Sequence, residues 1–73
     1  MTEREKELLL YIIEFKKVNG YSPTLREMQK GINTNSKNHV CVMLDNLKDE
    51  GFIVNNPNKP RTIKVIKFLN PLN

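Results

Sequence analysis

The sequence is poor in the residues that carry most protein chemistry. Among 73 residues there is one cysteine, one histidine and three glycines. Cys41 alone can form neither an internal disulfide nor a multi-thiolate zinc site. Cys41 and His39 are neighbours in sequence, but two positions apart on a helix they point about 200° away from each other. Ser22 and Ser36 are the only serines, so a Ser-His-acid set has little to draw on. Gly20, Gly31 and Gly51 are scattered and make no phosphate-cradling glycine loop. No enzyme is expected, and no metal or cofactor. The longest apolar run is Leu8 to Ile13, far short of the roughly 20 residues needed to span a bilayer. Met1 is followed directly by Thr-Glu-Arg-Glu-Lys-Glu, which has none of the features of a signal or transit peptide. A cytoplasmic protein without a membrane partner is the expectation.

What is present is ordinary globular composition, 38% hydrophobic and 27% charged. A chain of this size can just bury a core of its own, so one domain is the ceiling. The formal net charge is +4, and it is unevenly placed. Residues 1–30 hold six bases against five acids, and residues 31–50 hold Lys37 and Lys48 against Asp45, Asp49 and Glu50. Residues 51–73 hold Lys59, Arg61, Lys64 and Lys67 with no acid. A basic segment without counter-charges attracts polyanions by Coulomb steering and counterion release, although charge alone fits a solvated tail equally well.

Periodicity divides the chain. Thr2 followed by Glu5 is a capping box. Leu8, Leu9, Ile12 and Phe15 then recur at helical spacing, with Tyr11 at the edge of the stripe, and Gly20 supplies a stop. A first helix is expected over about Glu3 to Asn19. Tyr21-Ser22-Pro23 is extended, because a residue before proline is pushed out of the helical region. Thr24 and Glu27 repeat the capping box, Leu25, Met28 and Ile32 give a short stripe, and Gly31 is expected to end a brief second helix over roughly Leu25 to Lys30. Asn33-Thr34-Asn35 is a polar turn, and Ser36 is the expected cap of a third helix. Val40, Met43, Leu44 and Leu47 form one buried face of that helix, with Gly51 as its terminator. The period then changes from 3.6 to 2. Phe52-Ile53-Val54 is a short strand, Asn55 to Pro60 a turn-rich loop, and Thr62 to Ile66 an alternating strand with Ile63 and Val65 on one side. Residues 68–73 form a tail.

Helix, short helix, turn, longer helix and hairpin are the layout of a winged helix-turn-helix, mainly α with a small β-hairpin. It accounts for residues 1–67. With Val40 at the centre of the buried face of the third helix, Asn38, Val42, Asp45 and Asp49 lie opposite, flanked by His39 and Cys41. The N-terminal half of the outer face is uncharged and hydrogen-bonding, and the acids lie in the C-terminal half. A helix entering a DNA groove by its N-terminal end keeps those acids away from phosphate.

The sequence resembles the N-terminal DNA-binding domain of the LexA family of SOS-response repressors. The residues that carry the resemblance are Thr-Glu-Arg at 2–4 with Leu9 and Ile12, Gly-Tyr-Ser-Pro-Thr at 20–24, and Arg26-Glu27. Leu44, Leu47, Glu50-Gly51-Phe52-Ile53 and Asn58-Lys59-Pro60-Arg61 with Ile63 complete the set. It runs without gaps over about residues 2–66. It implies that the third helix, about 36–50, lies in the major groove and that the wing, 54–62, contacts the backbone beside it. It implies base contacts from Ser36, Asn38, His39, Cys41 and Val42. An amide such as that of Asn38 can pair bidentately with adenine, or be a second cap or a solvated group. His39 can donate to phosphate or guanine, or simply be solvated. Cys41 and Val42 can pack on thymine methyls.

Backbone contacts are expected from Arg26, Lys37, Lys59, Arg61 and Lys64, the wing being stiffened by Pro57 and Pro60. The expected function is a sequence-specific regulator of transcription, most simply a repressor acting by occupancy of double-stranded DNA. Specific operators usually take two copies of such a domain, so a homodimer on a palindromic site is a candidate assembly. Phe68-Leu69 with Leu72 is a candidate contact, equally readable as packing on the first helix. The apolar pair Cys41 and Val42 departs from the more polar pattern of the family, so the SOS operator is not carried over. The same pair, beside Asp45 and Asp49, keeps a rival open: a protein-interaction module that binds a regulator or polymerase through this scaffold. The peptidase domain of the family's full repressors has no counterpart in the 73 residues. An excised first domain and a stand-alone protein of a phage or mobile element both fit.

Overall fold

The computed structural model describes residues 1–56 and 58–67. The expectations for Pro57 and for the 68–73 tail, including its candidate contacts, lie outside those residues. Three helices, α1 (Glu3–Asn19), α2 (Leu25–Gly31) and α3 (Lys37–Asp49), precede two short strands, β1 (Ile53–Val54) and β2 (Lys64–Val65). The strands pair antiparallel in the register Ile53↔Val65 and Val54↔Lys64. This is the winged helix-turn-helix arrangement. No described helix is long and apolar enough to cross a membrane.

Both capping boxes form. The Thr2 hydroxyl accepts the Glu5 N–H at 3.1 Å, and the Glu5 carboxylate accepts the Thr2 N–H at 2.9 Å. Thr24 and Glu27 do the same at the start of α2. Such boxes satisfy donors that the first turn of a helix leaves free. Gly20 and Gly51 take the left-handed conformation after α1 and α3, at φ 83° and 82°, where a Cβ would be strained.

Gly31 has a different task from the one its sequence position implies. It belongs to α2, and the left-handed residue after that helix is Asn33, φ 57°. A Cβ on Gly31 would overlap the Tyr11 ring. The glycine is there so that α1 and α2 can approach.

The stripes converge on one core: Leu8, Leu9 and Ile12 of α1, Met28 and the following Ile32, Val40, Met43, Leu44 and Leu47 of α3, and Ile53 and Ile63 of the wing. Phe15 lies at the margin, its ring 5.9 Å from those of Tyr11 and Tyr21. Glu5, a helix-start carboxylate, is buried, and it accepts a 2.7 Å hydrogen bond from the Asn46 amide of α3. Backbone hydrogen bonding from Thr2, followed by the Asn46 bond, holds its pKa below the ordinary carboxylate value. The Asn46 bond ties α3 to the start of α1.

Candidate nucleic-acid interface

The outer face of α3 follows directly from which face is buried. Val40, Leu44 and Leu47 point inward, so 3.6-residue periodicity turns Asn38, Val42, Asp45 and Asp49 to solvent, and all four are exposed. Asn38 and Val42 stand one turn apart on this face, and Val42 keeps 48% of its surface accessible. His39 is exposed on one flank and Cys41 is half-buried on the other. Ser36 caps the helix, its hydroxyl oxygen accepting the His39 N–H at 3.0 Å. The first turn of α3 has no acid, so the positive end of the helix dipole is left uncompensated there.

Beside this face lies an open cleft of about 610 Å³ between α2, α3 and the wing. Arg26 and Gln29 line it from α2, Lys37, Cys41, Asp45 and Lys48 from α3, and Asn58, Lys59 and Arg61 from the wing loop. The structure thus brings Arg26, Lys37 and Lys59, distant in sequence, to one cleft. Lys64 sits outside it, exposed on β2.

The wing loop is tied by its own polar groups. The Thr62 hydroxyl oxygen accepts the Asn56 N–H at 2.9 Å and lies within donating distance of the Asn56 and Lys59 carbonyls, 3.0 and 3.1 Å. The Asn58 N–H donates to the Asn56 side chain at 3.0 Å. These bonds hold Lys59 on a shaped loop with its ammonium free of protein hydrogen bonds among the described residues.

The four bases of the last third have different surroundings. Arg61 donates to both oxygens of Glu27, at 2.9 and 3.3 Å, and to the Ser22 carbonyl at 3.2 Å. Its guanidinium carbon lies 4.5 Å from the centroid of the Tyr21 ring. Lys67 donates to the Glu50 carbonyl at the end of α3, at 3.2 Å, and sits 4.3 Å above the Phe52 ring. Arg61 and Lys67 are therefore engaged within the fold, whereas Lys59 and Lys64 project from it. Glu27 is held below the ordinary carboxylate value first by the Thr24 N–H and then by Arg61. Burial, reinforced by the negative charge of Glu27, pushes the Tyr11 hydroxyl up.

The structure adds two features to the expected set. Lys48 joins the cleft because it shares a helical flank with Lys37 and Cys41; the same wheel that finds Asn38 would find it. The Arg61–Glu27 pair spans 34 positions and leaves no periodic signal.

Comparison with known proteins bears on the family of the chain. A profile described as the LexA DNA binding domain matches residues 1–62. The chain is 33% identical over 66 residues to the LexA repressor of Carboxydothermus hydrogenoformans, covering 90% of this chain and 32% of that protein. It is 36% identical to the LexA repressor of Exiguobacterium sibiricum, covering 90% and 32%. It is 38% identical to that of Desulforamulus reducens, covering 90% and 31%. The chain spans about a third of the length of each of these relatives. With the helix order, the hairpin wing and the profile in agreement over nearly its whole length, this chain belongs to the LexA DNA-binding domain family.

Proposed function

We propose that the chain binds double-stranded DNA in a sequence-selective manner and acts as a transcriptional repressor by occupying its site. The observation that carries this reading is the pairing of two unlike surfaces. The outer face of α3 offers Asn38 and Val42, uncharged and exposed at its N-terminal end. The adjoining cleft gathers Arg26, Lys37, Lys48 and Lys59 from α2, α3 and the wing, with Asp45 as the acid among its lining residues. Hydrogen-bonding and methyl-matching groups specify bases, and cations hold phosphate. Ser36, Asn38, His39, Cys41 and Val42 face the bases in this arrangement, with Arg26, Lys37, Lys59 and Lys64 toward the backbone. Two copies on a palindromic site would double the few base pairs that one helix can read.

Selection of bound duplexes from a random pool tests the proposal. Enrichment of a defined sequence is expected. Asn38→Ala should then cost about 1–3 kcal/mol on that sequence and relax preference at one position. A pool that yields no enriched sequence, with no duplex binding at low salt, overturns it. The exposed Val42 beside Asp45 and Asp49 favours a protein partner in that event, which would be sought with this face as the probe.

A further inference from the structure

We infer that Arg61 is a positioning residue for DNA binding, a latch that ties the wing to α2 through Glu27, and not one of the phosphate contacts. The inference rests on the DNA-binding reading above. Three interactions of one guanidinium converge on the corner before α2: the Glu27 carboxylate, the Ser22 carbonyl and the Tyr21 ring. Arg61 itself stands at φ 56°, a left-handed conformation uncommon outside glycine. Two residues on, the Ile63 N–H donates to the buried Ser22 hydroxyl at 3.2 Å, a second attachment to the same corner.

The latch adds to the hold that Ile53 and Ile63 give the wing in the core. The strands of the wing pair at two positions only, and a two-stranded hairpin is marginal by itself. Glu27 also closes the capping box of α2, so one carboxylate fixes both the start of that helix and the seat of the wing. Because α2 packs on α3, the latch sets the spacing between Lys59 on the wing and Lys37 on α3. A half-exposed ion pair alone is weak. Here bidentate geometry and aromatic stacking act on the same side chain.

The sign of the effect of Glu27→Gln separates a latch from a phosphate contact. Glutamine can keep the capping box, since its amide oxygen accepts the Thr24 N–H, and it removes a negative charge near a polyanion. If Arg61 serves phosphate, Glu27→Gln binds duplex more tightly, and Arg61→Ala lowers the salt slope by about 0.9. The latch gives weaker binding for Arg61→Ala, by roughly three- to tenfold, and a smaller loss in the same direction for Glu27→Gln, because the amide oxygen that accepts the Thr24 N–H also keeps the 2.9 Å bond from Arg61. The double variant is then no weaker than Arg61→Ala alone. Hydrogen exchange on the DNA-free protein reads the latch without any duplex. The Ile63 and Asn56 amides should exchange faster in both variants, while the amides of α1 keep their protection. Unchanged wing exchange overturns the latch. Faster wing exchange with undiminished duplex binding overturns its role in positioning. A wild-type chain that binds no duplex overturns the DNA-binding reading, and exchange still decides whether the latch exists.

Discussion

Replacing Lys59 with alanine should change the salt dependence of DNA binding by a calculable amount. Four cations are expected to meet phosphate, Arg26, Lys37, Lys59 and Lys64; Arg61 and Lys67 are held within the fold, and Lys48 lines the cleft in the acidic C-terminal half of α3 and is not counted. Each phosphate neutralised releases about 0.9 counterion, so log K should fall against log salt with a slope of about −3.6. Between about 50 and about 200 mM salt, affinity then drops roughly 150-fold. Lys59→Ala removes one contact, giving a slope near −2.7 and a drop of roughly 40-fold over the same range. The substitution spares the fold, because the wing uses the backbone of Lys59: its N–H donates to the Asn56 carbonyl at 3.1 Å, and its carbonyl faces the Thr62 hydroxyl. Fluorescence anisotropy of a labelled duplex titrated at several salt concentrations measures both slopes. A wild-type slope near zero, or one that Lys59→Ala leaves untouched, refutes the assignment of affinity to these cations. A slope near −4.5 would add a fifth contact from the cleft, Lys48 or Arg61, and the slope of Arg61→Ala would tell which.

Two further outcomes concern stability. Glu5 and Glu27 both have depressed pKa values in the folded chain, so their contribution is complete above the unfolded carboxylate value and is lost as pH falls through the folded one. Thermal unfolding should therefore be nearly level from pH 7 to about 5 and decline below that, and Glu5→Gln should soften the decline; a Tm that holds steady well into acid would contradict this. Gly31→Ala should destabilise by roughly 1–3 kcal/mol in urea unfolding through the clash with the Tyr11 ring, despite the better helix propensity of alanine. A stabilised Gly31→Ala would show that Tyr11 can move aside.

Local chemistry was legible along the chain. The bounds of α1 and the start of α3 follow from Thr2, Ser36 and the apolar stripes, since caps and periodicity act within a few residues. The buried face of α3 then fixes its outer face, so Asn38 and Val42 were readable as an exposed pair. Gly31 was not: a glycine after a short stripe reads as a helix stop, and only the neighbouring helix reveals that it makes room for Tyr11. The surroundings of the basic last third were not legible. Its charges are real, but two of them meet partners that sequence distance conceals.

The sequence by itself determined the order of elements, the inward and outward faces, and the family. The tertiary structure decided what the charges do. A side chain's reach is set by local backbone geometry, but its partner is whatever folding brings within about 3 Å, and hydrogen bonds and ion pairs are decided at that range. Arg61 and Lys59 are two residues apart and chemically alike in sequence; folding places Glu27 against one and leaves the other facing the cleft.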